Sequence, residues 1–488
     1  MADYLHGAYG TINAASARQT DQAALVPVLI GTAPVNTLKG GASNVNKPVL
    51  VKSMSDAKKL FGYSDDWASF TLCEAMHVMF DLNGVGPLVM INVLDPATHK
   101  GTQTTESLTP ANGEIVVSSA EKIILDTVTA GSKVKGTDFD VKYDPATKKL
   151  TIYELSAGAL GTSALSCTWY SVTPASVTAS VVIGTSDGYG TNTGLYVIQD
   201  VYQKTGNVPA YLLAPGFSED NAVHAAMIEV SKKINKHWDA YVMADLPLEY
   251  NSTAVTLATA ATIKASLGYD NANESVYWPM AEGVDSKKYH ISVLAMANLL
   301  GLLIDNGGIP YRSPSNTECA IIKNLWLGAA SDAVITDEHI NEYLNKNGIN
   351  SAAYVSGTWR IWGMHSAAYN ENETEYSQIF ETSCMMLYYV SNDFQRRRAL
   401  DVDSPMTAAG LRSIAAEEQT RLDALVKIGA LTYGAVKVDA ESLEMSDVVA
   451  GDFKFAFEVT TTPLAKSLTA VVNWSDEGFY TYFEAFNN

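Results

Sequence analysis

Two stretches of the sequence carry carboxylates at positions where α/β enzymes place functional side chains. LAPGFSED (213–220) and ADLPLEY (244–250) each contain or follow an apolar run typical of a buried strand. In open α/β sheets, ligands bind outside the carboxyl ends of the strands. Asp220, Asp245 and Glu249 could therefore converge in a pocket that shifts their pKa values, and act as the acidic site of an α/β enzyme.

A structural role explains part of the same pattern. Ser218, Glu219 and Asp220 are residue types that cap a helix and stabilise its first turn, and a helix is predicted directly after them. The capping role is the preferred interpretation. The sequence contains no Walker motif, nucleophile elbow, HExxH motif, EF-hand loop or kinase signature. GYGTNTG (188–194) has the wrong spacing for a dinucleotide-binding loop and is predicted to be a mobile loop.

The sequence also lacks metal-binding and disulfide patterns. The eight histidines are dispersed, and no two of them show the i,i+4 spacing of a metal site on a helix. The four cysteines include no C-x-x-C pair, so they are predicted to be buried free thiols: Cys73, Cys167, Cys319 and Cys384. We therefore expect no catalytic residue, no cofactor and no metal site.

The composition indicates an ordinary soluble protein of several domains. The 488 residues would fill about three domains of roughly 150 residues each. No run of 18 apolar residues is present, and the first residues lack the pattern of a signal peptide, which favours cytosolic synthesis without membrane insertion. The net charge of −20 argues against direct binding of nucleic acid, which requires a positive footprint.

The elements that would hold these residues alternate between strands and helices. ALVPVLIGTAP and KPVLVKS are predicted strands, and Ser53 or Ser55 is predicted to cap a helix that ends at Gly62. A longer helix over ASFTLCEAMHVMFDLNG precedes a strand at GPLVMINVLDP. The alternation returns after residue 194, with a helix over DNAVHAAMIEVSKKINKHW and a fully apolar, buried helix over HISVLAMANLLGLLIDNGG. Between them, residues 97–194 form a predicted β-rich insertion. The predicted class is mixed α/β with several domains.

The end of the chain is predicted to be a strand that pairs outside its own domain. A helix is predicted from Ser404 and Pro405 onwards, followed by strands at GDFKFAFEVTT, SLTAVVNW and GFYTYFEAF. In the last strand, two aromatic-rich sets alternate: Phe479, Thr481 and Phe483 on one face, and Tyr480, Tyr482 and Phe486 on the other. Extended ends that cannot fold alone suit strand addition to another subunit. The first twenty residues, which are small, polar and Gly/Ala-rich, are likewise predicted to be an extended arm. The alternative is that both ends fold back on their own domain.

Three consecutive arginines, Arg396 to Arg398, form the strongest basic cluster. They allow two interpretations. One is a solvated helix face balanced by Asp393, Asp401 and Asp403. The other is a docking point for an acidic partner, which a cationic cluster in so acidic a chain would attract.

Several motifs, in order along most of the chain outside 97–194, resemble those of contractile tail sheath proteins. The matching stretches are YLHGAYGTI, VPVLIGTAP, PVLVKSMSDAKKLFG, LCEAMHVMFDLNGVGPLVMINV, LLAPGFSED, DAYVMADLP, VYWPM, NGGIPYRSPSNTE and YLNKNGIN with WRIWGMHS. The chain departs from the family at Met280, where Trp is usual, and at Ser366, where Thr is usual.

The resemblance implies a structural protein of contractile phage tails, R-type bacteriocins and related injection systems, without enzymatic activity. Subunits of this family form hexameric rings stacked helically around an inner tube, and the sheath shortens to drive the tube through a bacterial envelope. The implied partners are further copies of the chain, the tube protein, the baseplate and the tail terminator. The implied location is the tail of a virion or tail-like particle, assembled in the host cytoplasm.

The resemblance also implies a domain order and the residues that contact neighbours. Residues 1–20 would be an arm and 335–488 an inner domain, 21–96 with 195–334 a middle domain, and 97–194 an outer one. The implied arm residues are Tyr4, Leu5, Tyr9, Thr11, Ile12, Phe479, Tyr480, Thr481, Tyr482, Phe483 and Phe486. The implied tube-facing residues are Arg396, Arg397, Arg398, Arg412, Arg421 and Lys427.

Overall fold

The computed structural model describes residues 25–329, 334–372, 375–439, 444–484 and 486. Its strands are, in chain order, β1 (Leu25–Gly31), β2 (Val49–Val51), β3 (Leu88–Asn92), β4 (Thr104–Leu108), β5 (Glu114–Val117), β6 (Thr129–Ala130), β7 (Phe139–Asp144), β8 (Lys149–Glu154), β9 (Leu165–Trp169), β10 (Val208–Leu213), β11 (Tyr241–Asp245), β12 (Glu249–Tyr250), β13 (Thr253–Ala254), β14 (Glu274–Tyr277), β15 (Met280–Gly283), β16 (Lys288–Tyr289), β17 (Ile322–Trp326), β18 (Ile349–Val355), β19 (Thr358–Trp362), β20 (Leu431–Val438) and β21 (Phe455–Thr461).

The helices are, in chain order, α1 (Met54–Phe61), α2 (Leu72–Met76), α3 (Ala179–Ile183), α4 (Val201–Thr205), α5 (Asn221–Val230), α6 (Leu257–Leu267), α7 (Ile291–Asp305), α8 (Asp337–Tyr343), α9 (Tyr376–Ile379), α10 (Glu381–Arg398), α11 (Ala408–Lys427), α12 (Met445–Ala450) and α13 (Glu477–Glu484). The predicted mixed α/β class is confirmed.

An eight-stranded sheet forms the centre of the molecule, in the order β19-β18-β14-β11-β10-β1-β3-β2. Its six inner strands are parallel, and β2 and β19 are antiparallel at the two edges. The strands β3, β10 and β11 are buried along their whole length, since helices cover both faces. Burial on both faces explains why these strands read as continuous apolar runs rather than as alternating ones.

The helices that cover the sheet largely follow the sequence. Ser53 caps α1, because its side chain accepts a hydrogen bond from the Asp56 N–H, and Gly62 ends the helix with φ 76°. The second predicted helix is α2 continued by one π-helical segment, His77–Leu82. As predicted for its uniformly apolar sequence, α7 is buried along most of its length.

Residues 104–169 form two three-stranded sheets with a small hydrophobic core of their own. The core includes Phe139, Leu150 and Trp169. The insertion is tied to the main body by Asn36, whose Nδ2 donates to the carbonyl oxygens of Glu121 and Ile123, both at 3.0 Å. Residues 97–194 are not β throughout, because the end of this stretch forms the short helix α3. Its Val182 is buried in the main core.

A second correction concerns two helix boundaries. The predicted helix over 220–238 ends at Val230, and residues 231–238 form a loop instead. The last long helix begins at Ala408 rather than at Ser404, since Thr407 has the extended conformation of a cap and accepts from the Gly410 N–H. Each helix end is set by which residue can satisfy the free backbone donors and acceptors of the terminal turn.

The last third of the chain contributes to two cores. Strands β18 and β19, which lie in the predicted inner domain, complete the same sheet as the strands of the predicted middle domain. Residues from α10, α11 and β20 form a separate small core that includes Met386, Tyr389, Leu422 and Leu425. The division of the chain into domains stays a prediction.

Candidate assembly surface

The sheet of β20 and β21 contains only two strands. They are antiparallel, with Gly434 opposite Val459 and Val438 opposite Phe455, and a bulge lies near Leu431. One face packs on α10 and α11, where the ring of Phe394 lies 5.3 Å from that of Phe457. Two-stranded sheets are marginally stable by themselves, so this one depends on its helices and has room for further strands.

The two edges of this small sheet differ. At the outer edge of β20, the side-chain amide of Gln419 on α11 donates to the Gly434 carbonyl oxygen and accepts from the Val436 N–H, both at 3.0 Å. Gln419 thereby supplies the donor and the acceptor that a neighbouring strand would supply. Within the described residues, no backbone hydrogen bond reaches the outer edge of β21. That edge is a ready template for strand pairing.

The chain that follows β21 is mostly exposed. Lys466 makes a contact with the main body: its Nζ lies 3.0 Å from the Tyr369 hydroxyl. Beyond it, Val472 is 89% and Trp474 is 79% exposed. The backbone hydrogen bonds of Glu477 and Phe479 are local, to Ser475 and Asp476. A surface of several adjacent, exposed large apolar residues is typical of an interaction site.

The predicted terminal strand is wrong for the isolated chain. Residues 477–484 form helix α13, with Phe479, Tyr480 and Tyr482 exposed; Thr481 and Phe483 lie in the same helix, and Phe486 is exposed just after it. The strand predicted at SLTAVVNW is also wrong, since these residues form neither a strand nor a helix. A strand needs a neighbour for its backbone groups, whereas a helix satisfies them internally, so a lone segment without a neighbour favours the helix.

The N-terminal arm lies outside the described residues, and with it Tyr4, Leu5, Tyr9, Thr11 and Ile12. The first described residue is Leu25 at the start of β1. Leu25 packs against both the main core and the small core of α10 and α11. The chain therefore enters the fold next to the helices that support the two-stranded sheet.

The arginine cluster is an internal ion network rather than a free cationic surface. Asp393 is paired with Arg396 at 2.5 Å and with Arg397 at 2.9 Å, and also with Arg421. Glu418 on α11 pairs with Arg397 and Arg398, each at 2.6 Å. Both carboxylates are 1% exposed, so the arginines neutralise buried charges between two helices.

The prediction of a solvated face balanced by aspartates identified Asp393 and Asp401 correctly as partners, since Asp401 lies 3.2 Å from Arg398. It missed Glu418, which is distant in sequence. Arg412 and Lys427 are exposed on α11. The assignment of tube contacts stays a prediction.

The three carboxylates of the alternative acidic site do not converge. Asp220 caps α5, accepting from the N–H groups of Ala222 and Val223, as preferred above. Glu249 lies exposed on the β12–β13 hairpin. Asp245 is buried against the Ser292 hydroxyl, and burial raises the pKa of its carboxyl to about 6.

A partly buried ion triad that the sequence did not reveal lies at the same end of the sheet. The Nδ1 of His290 is 2.6 Å from Glu74, and its Nε2 is 3.5 Å from Glu219. Burial alone would lower the pKa of His290, but the two carboxylates outweigh it and raise that pKa well above its ordinary value. The triad links α2, the loop after β10 and the start of α7. Its three residues are far apart in the chain, so no local sequence pattern predicts the contact.

The four cysteines are free and buried, as predicted. Groups of three or more His, Cys, Asp or Glu side chains that could hold a metal ion do not occur in the described part of the chain. No helix there is long and apolar enough to cross a membrane.

No family model matches the sequence. The chain is 25% identical to the tail sheath protein of Burkholderia phage BcepMu, over 96% of each chain. It is 22% identical to the major tail sheath protein of Serratia phage KSP20, over 63% of this chain and 73% of that one.

Solved structures show the same fold at low sequence identity. The sheath complex of PVC, an extracellular contractile injection system, in its contracted state has a TM-score of 0.56 and 12% identity, and the match covers 98% of this chain and 99% of that one. A chain of the baseplate of the anti-feeding prophage matches with a TM-score of 0.54 and 14% identity, over 97% and 100% of the two chains. The order of motifs along the sequence, the full-length similarity and the shared fold agree: over nearly its whole length, this chain is similar to contractile tail sheath proteins.

Proposed function

We propose that this chain polymerises as stacked hexameric rings around an inner tube, and that shortening of the polymer drives the tube through a bacterial envelope. The similar structures support the proposal: one is described as a helical sheath in the contracted state. Another is a baseplate with six-fold symmetry. The proposed partners are other copies of the chain, the tube, the baseplate and the terminator, in a tail-like particle assembled in the host cytoplasm.

The observation that carries the proposal is that the same chain has a two-stranded sheet with an unpaired edge and an exposed segment after Lys466. The outer edge of β21 offers free backbone donors and acceptors within the described residues. The segment after Lys466 offers aromatic and β-branched side chains that are exposed on its own subunit. We propose that this segment adds as a strand to the β21 edge of a neighbouring copy, and that the N-terminal arm joins the same sheet.

Strand addition would supply both specificity and energy. Backbone hydrogen bonds fix the register, and side chains that alternate across the strand select their pockets. Fully burying a large apolar side chain contributes about 1.5–3 kcal/mol, so burial of several residues between 468 and 486 would offset the entropy lost on ordering the segment. Formation of α13 in the free subunit would protect these aromatic residues only partly, since Phe479 remains 57% exposed.

The connected main core suits a subunit that moves as one body during contraction. The core joins helices and strands from residues 26 to 385. The linked ends could then keep neighbours attached while the bodies rotate. In this arrangement the inner domain (1–20 and 335–488) lies near the tube, the middle domain (21–96 and 195–334) outside it, and 97–194 at the surface. Arg412 and Lys427, which are exposed, are the better candidates for tube contacts.

Removal of residues 467–488 tests the proposal. The truncated chain keeps the Lys466–Tyr369 contact and the whole of β20 and β21, so it should unfold at the same temperature as the full chain. Negative-stain microscopy should show tubes for the full chain and none for the truncated one. The matched control is Tyr189→Ser, which removes an aromatic side chain that is 96% exposed elsewhere and should leave tubes intact.

A mixing experiment sharpens the result. Truncated subunits still carry the acceptor sheet, so they should accept a segment from a full-length neighbour and then end the polymer. Adding them to full-length chains should shorten the tubes in proportion to their share. Tubes of normal length from truncated chains alone would rule out strand addition by this segment.

A further inference from the structure

A lysine-rich loop lies between α5 and β11 and takes no part in the proposed strand addition. Residues 231–238, SKKINKHW, expose Lys232, Lys236 and His237. Lys233 is paired with Asp239, at 2.5 Å. Lys232 and Lys236 enter no ion pair among the described residues. On a chain of net charge −20, an unpaired cationic loop is a point at which negatively charged copies can attract one another.

The backbone of this loop is held in a fixed and uncommon conformation. Lys233, Asn235 and Lys236 have φ angles of 50°, 52° and 63°, a region that residues other than glycine seldom adopt. Ile234 and Trp238 exchange backbone hydrogen bonds at 2.7 and 3.1 Å across the turn. Such backbone strain persists only where the surroundings determine the conformation.

Side chains from two other elements anchor the loop. The Gln395 amide on α10 donates to the His237 carbonyl oxygen at 2.9 Å. The Asn235 amide donates to the Gln199 carbonyl oxygen at 2.5 Å. The ring of Trp238 lies 5.2 Å from that of Tyr202, tilted by 46°. The lysines are therefore presented from a preorganised base, which lowers the entropy lost when a partner binds.

Two exposed apolar residues follow α10, five and seven positions after Gln395, which contacts the loop. Leu400 is 85% and Val402 is 69% exposed, directly after the helix that holds the loop. Asp401 between them is paired with Arg398. We call Lys232, Lys236, His237, Leu400 and Val402 the loop surface. It combines positive charge with exposed apolar groups.

Negative charge combined with exposed apolar groups, which would complement the loop surface, occurs at the connection between β20 and β21. Helix α12 there exposes Met445, Val448 and Val449. Its flanks carry the exposed carboxylates of Glu444 and Asp452. We call residues 444–452 the hairpin tip. With Asp447 included, its net charge is −3, from three carboxylates and no cation.

We propose that the loop surface of one copy docks on the hairpin tip of another copy. Both surfaces are exposed on the same chain, so their pairing joins two molecules by different faces. Such a head-to-tail contact generates a ring where the rotation between copies closes, and a helical filament where it does not. The contact rests on the proposed polymer, but it uses side chains and is separate from strand addition at β21.

Charge reversal tests the docking in the full chain. Lys232→Glu with Lys236→Glu should raise the protein concentration needed for tubes about tenfold at low salt, and the difference should shrink as salt is added. The control, Lys47→Glu with Lys52→Glu, changes the net charge equally at two exposed lysines elsewhere and should have little effect. Adding Glu444→Lys and Asp452→Lys to the first variant should restore assembly, since the charges are then exchanged between the two surfaces.

The outcomes separate the two proposals. If the unchanged chain forms no tubes, the proposed polymer and the docking both fail. If it forms tubes and the loop variant behaves like the control, only the docking is refuted. A loop variant that is impaired but not rescued by the exchange would refute the hairpin tip as its partner. Circular dichroism and thermal unfolding confirm that each variant is folded before its assembly is compared.

Discussion

Glu418 accepts two parallel hydrogen bonds from the Arg397 guanidinium, both at 2.6 Å, although the residues lie on different helices and are 21 positions apart. A two-point pair of this kind fixes the relative rotation of α10 and α11 as well as neutralising charge. The sheet of β20 and β21 rests on these two helices. Its position in the subunit therefore depends on a pair that the sequence does not place together.

Glu418→Gln should destabilise the protein strongly. The substitution keeps the shape of the side chain but removes the buried carboxylate shared by Arg397 and Arg398, and breaking a buried ion pair costs about 3–5 kcal/mol. Arg397 then keeps only its pair with Asp393 among the ion pairs described above. Glu417→Gln is the matched control, because Glu417 binds Arg398 at 2.9 Å yet is 60% exposed. We expect a loss within about 1 kcal/mol there. Urea unfolding measures both; equal losses would contradict a central role for Glu418.

Gln419→Ala should loosen the docking of β20 on α11. It removes the hydrogen bond that Gln419 donates to the Gly434 carbonyl oxygen and the one that it accepts from the Val436 N–H. We expect the free energy of unfolding to fall by about 1–3 kcal/mol. Hydrogen exchange at Val436 should become faster than in the unchanged chain. Gln103→Ala, which removes an exposed hydrogen bond to Thr168, is the control and should leave the Val436 rate unchanged. Unaltered exchange at Val436 in Gln419→Ala would show that the edge is held by other means.

Stability should fall as pH rises from about 4.5 to about 7, because of Glu381. Burial raises the pKa of this carboxyl to about 7, against the opposing effect of hydrogen bonds from Ser275 and Ser313. In that range the native chain binds more protons than the unfolded chain, so the free energy of unfolding decreases with pH. Glu381→Gln should flatten the decrease, and the exposed Glu338→Gln should not.

Denaturant unfolding at about pH 5 and about pH 8 measures that difference. Part of the slope should survive in Glu381→Gln, since the raised pKa of Asp245, about 6, acts in the same direction. Asp245→Asn in the same chain should remove more of it. An unchanged slope in the double variant would show that neither carboxyl governs the pH dependence.

Asn36→Ala should weaken the attachment of the insertion to the main body. Its amide satisfies two carbonyl oxygens of the insertion, and their loss costs about 1–3 kcal/mol. Limited proteolysis should then cut near residues 97–101 sooner than in the unchanged chain. Lys39→Ala, which removes the pair with Asp140 at 2.5 Å, is the control. Since Lys39 is 52% exposed, we expect little change; equal proteolysis of both variants would contradict the role of Asn36.

Local signals in the sequence were sufficient for the elements of the main body. The strands β1, β3, β10 and β11 and the buried helix α7 follow from apolar runs bounded by turn residues, and α1 follows from Ser53 and Gly62. The end of α5 was missed, because residues 231–238 contain no glycine or proline. Their left-handed turn is set by contacts with Gln395 and Gln199, which only the fold brings near.

The location of the candidate assembly surface could be predicted from the sequence, but the conformation of its segments could not. The exposed, aromatic end of the chain was recognised from its composition, but its conformation depends on whether another strand is present. The arginines were recognised as a cluster, and their buried partner Glu418 was not, since no local rule links positions on two helices. The resemblance to sheath proteins rested on the order of many short motifs, each of them weak alone.

Helix α10 has a mechanical consequence for a polymer linked through β21. Its Met385 packs in the main core and the adjacent Met386 in the small core. Further along the helix, Asn392 exchanges hydrogen bonds with the backbone of Asp239, at 3.1 and 2.8 Å. Helix α10 therefore connects the small sheet directly to the eight-stranded sheet. A force that a neighbouring copy exerts on the small sheet would be transmitted to the eight-stranded sheet through this helix.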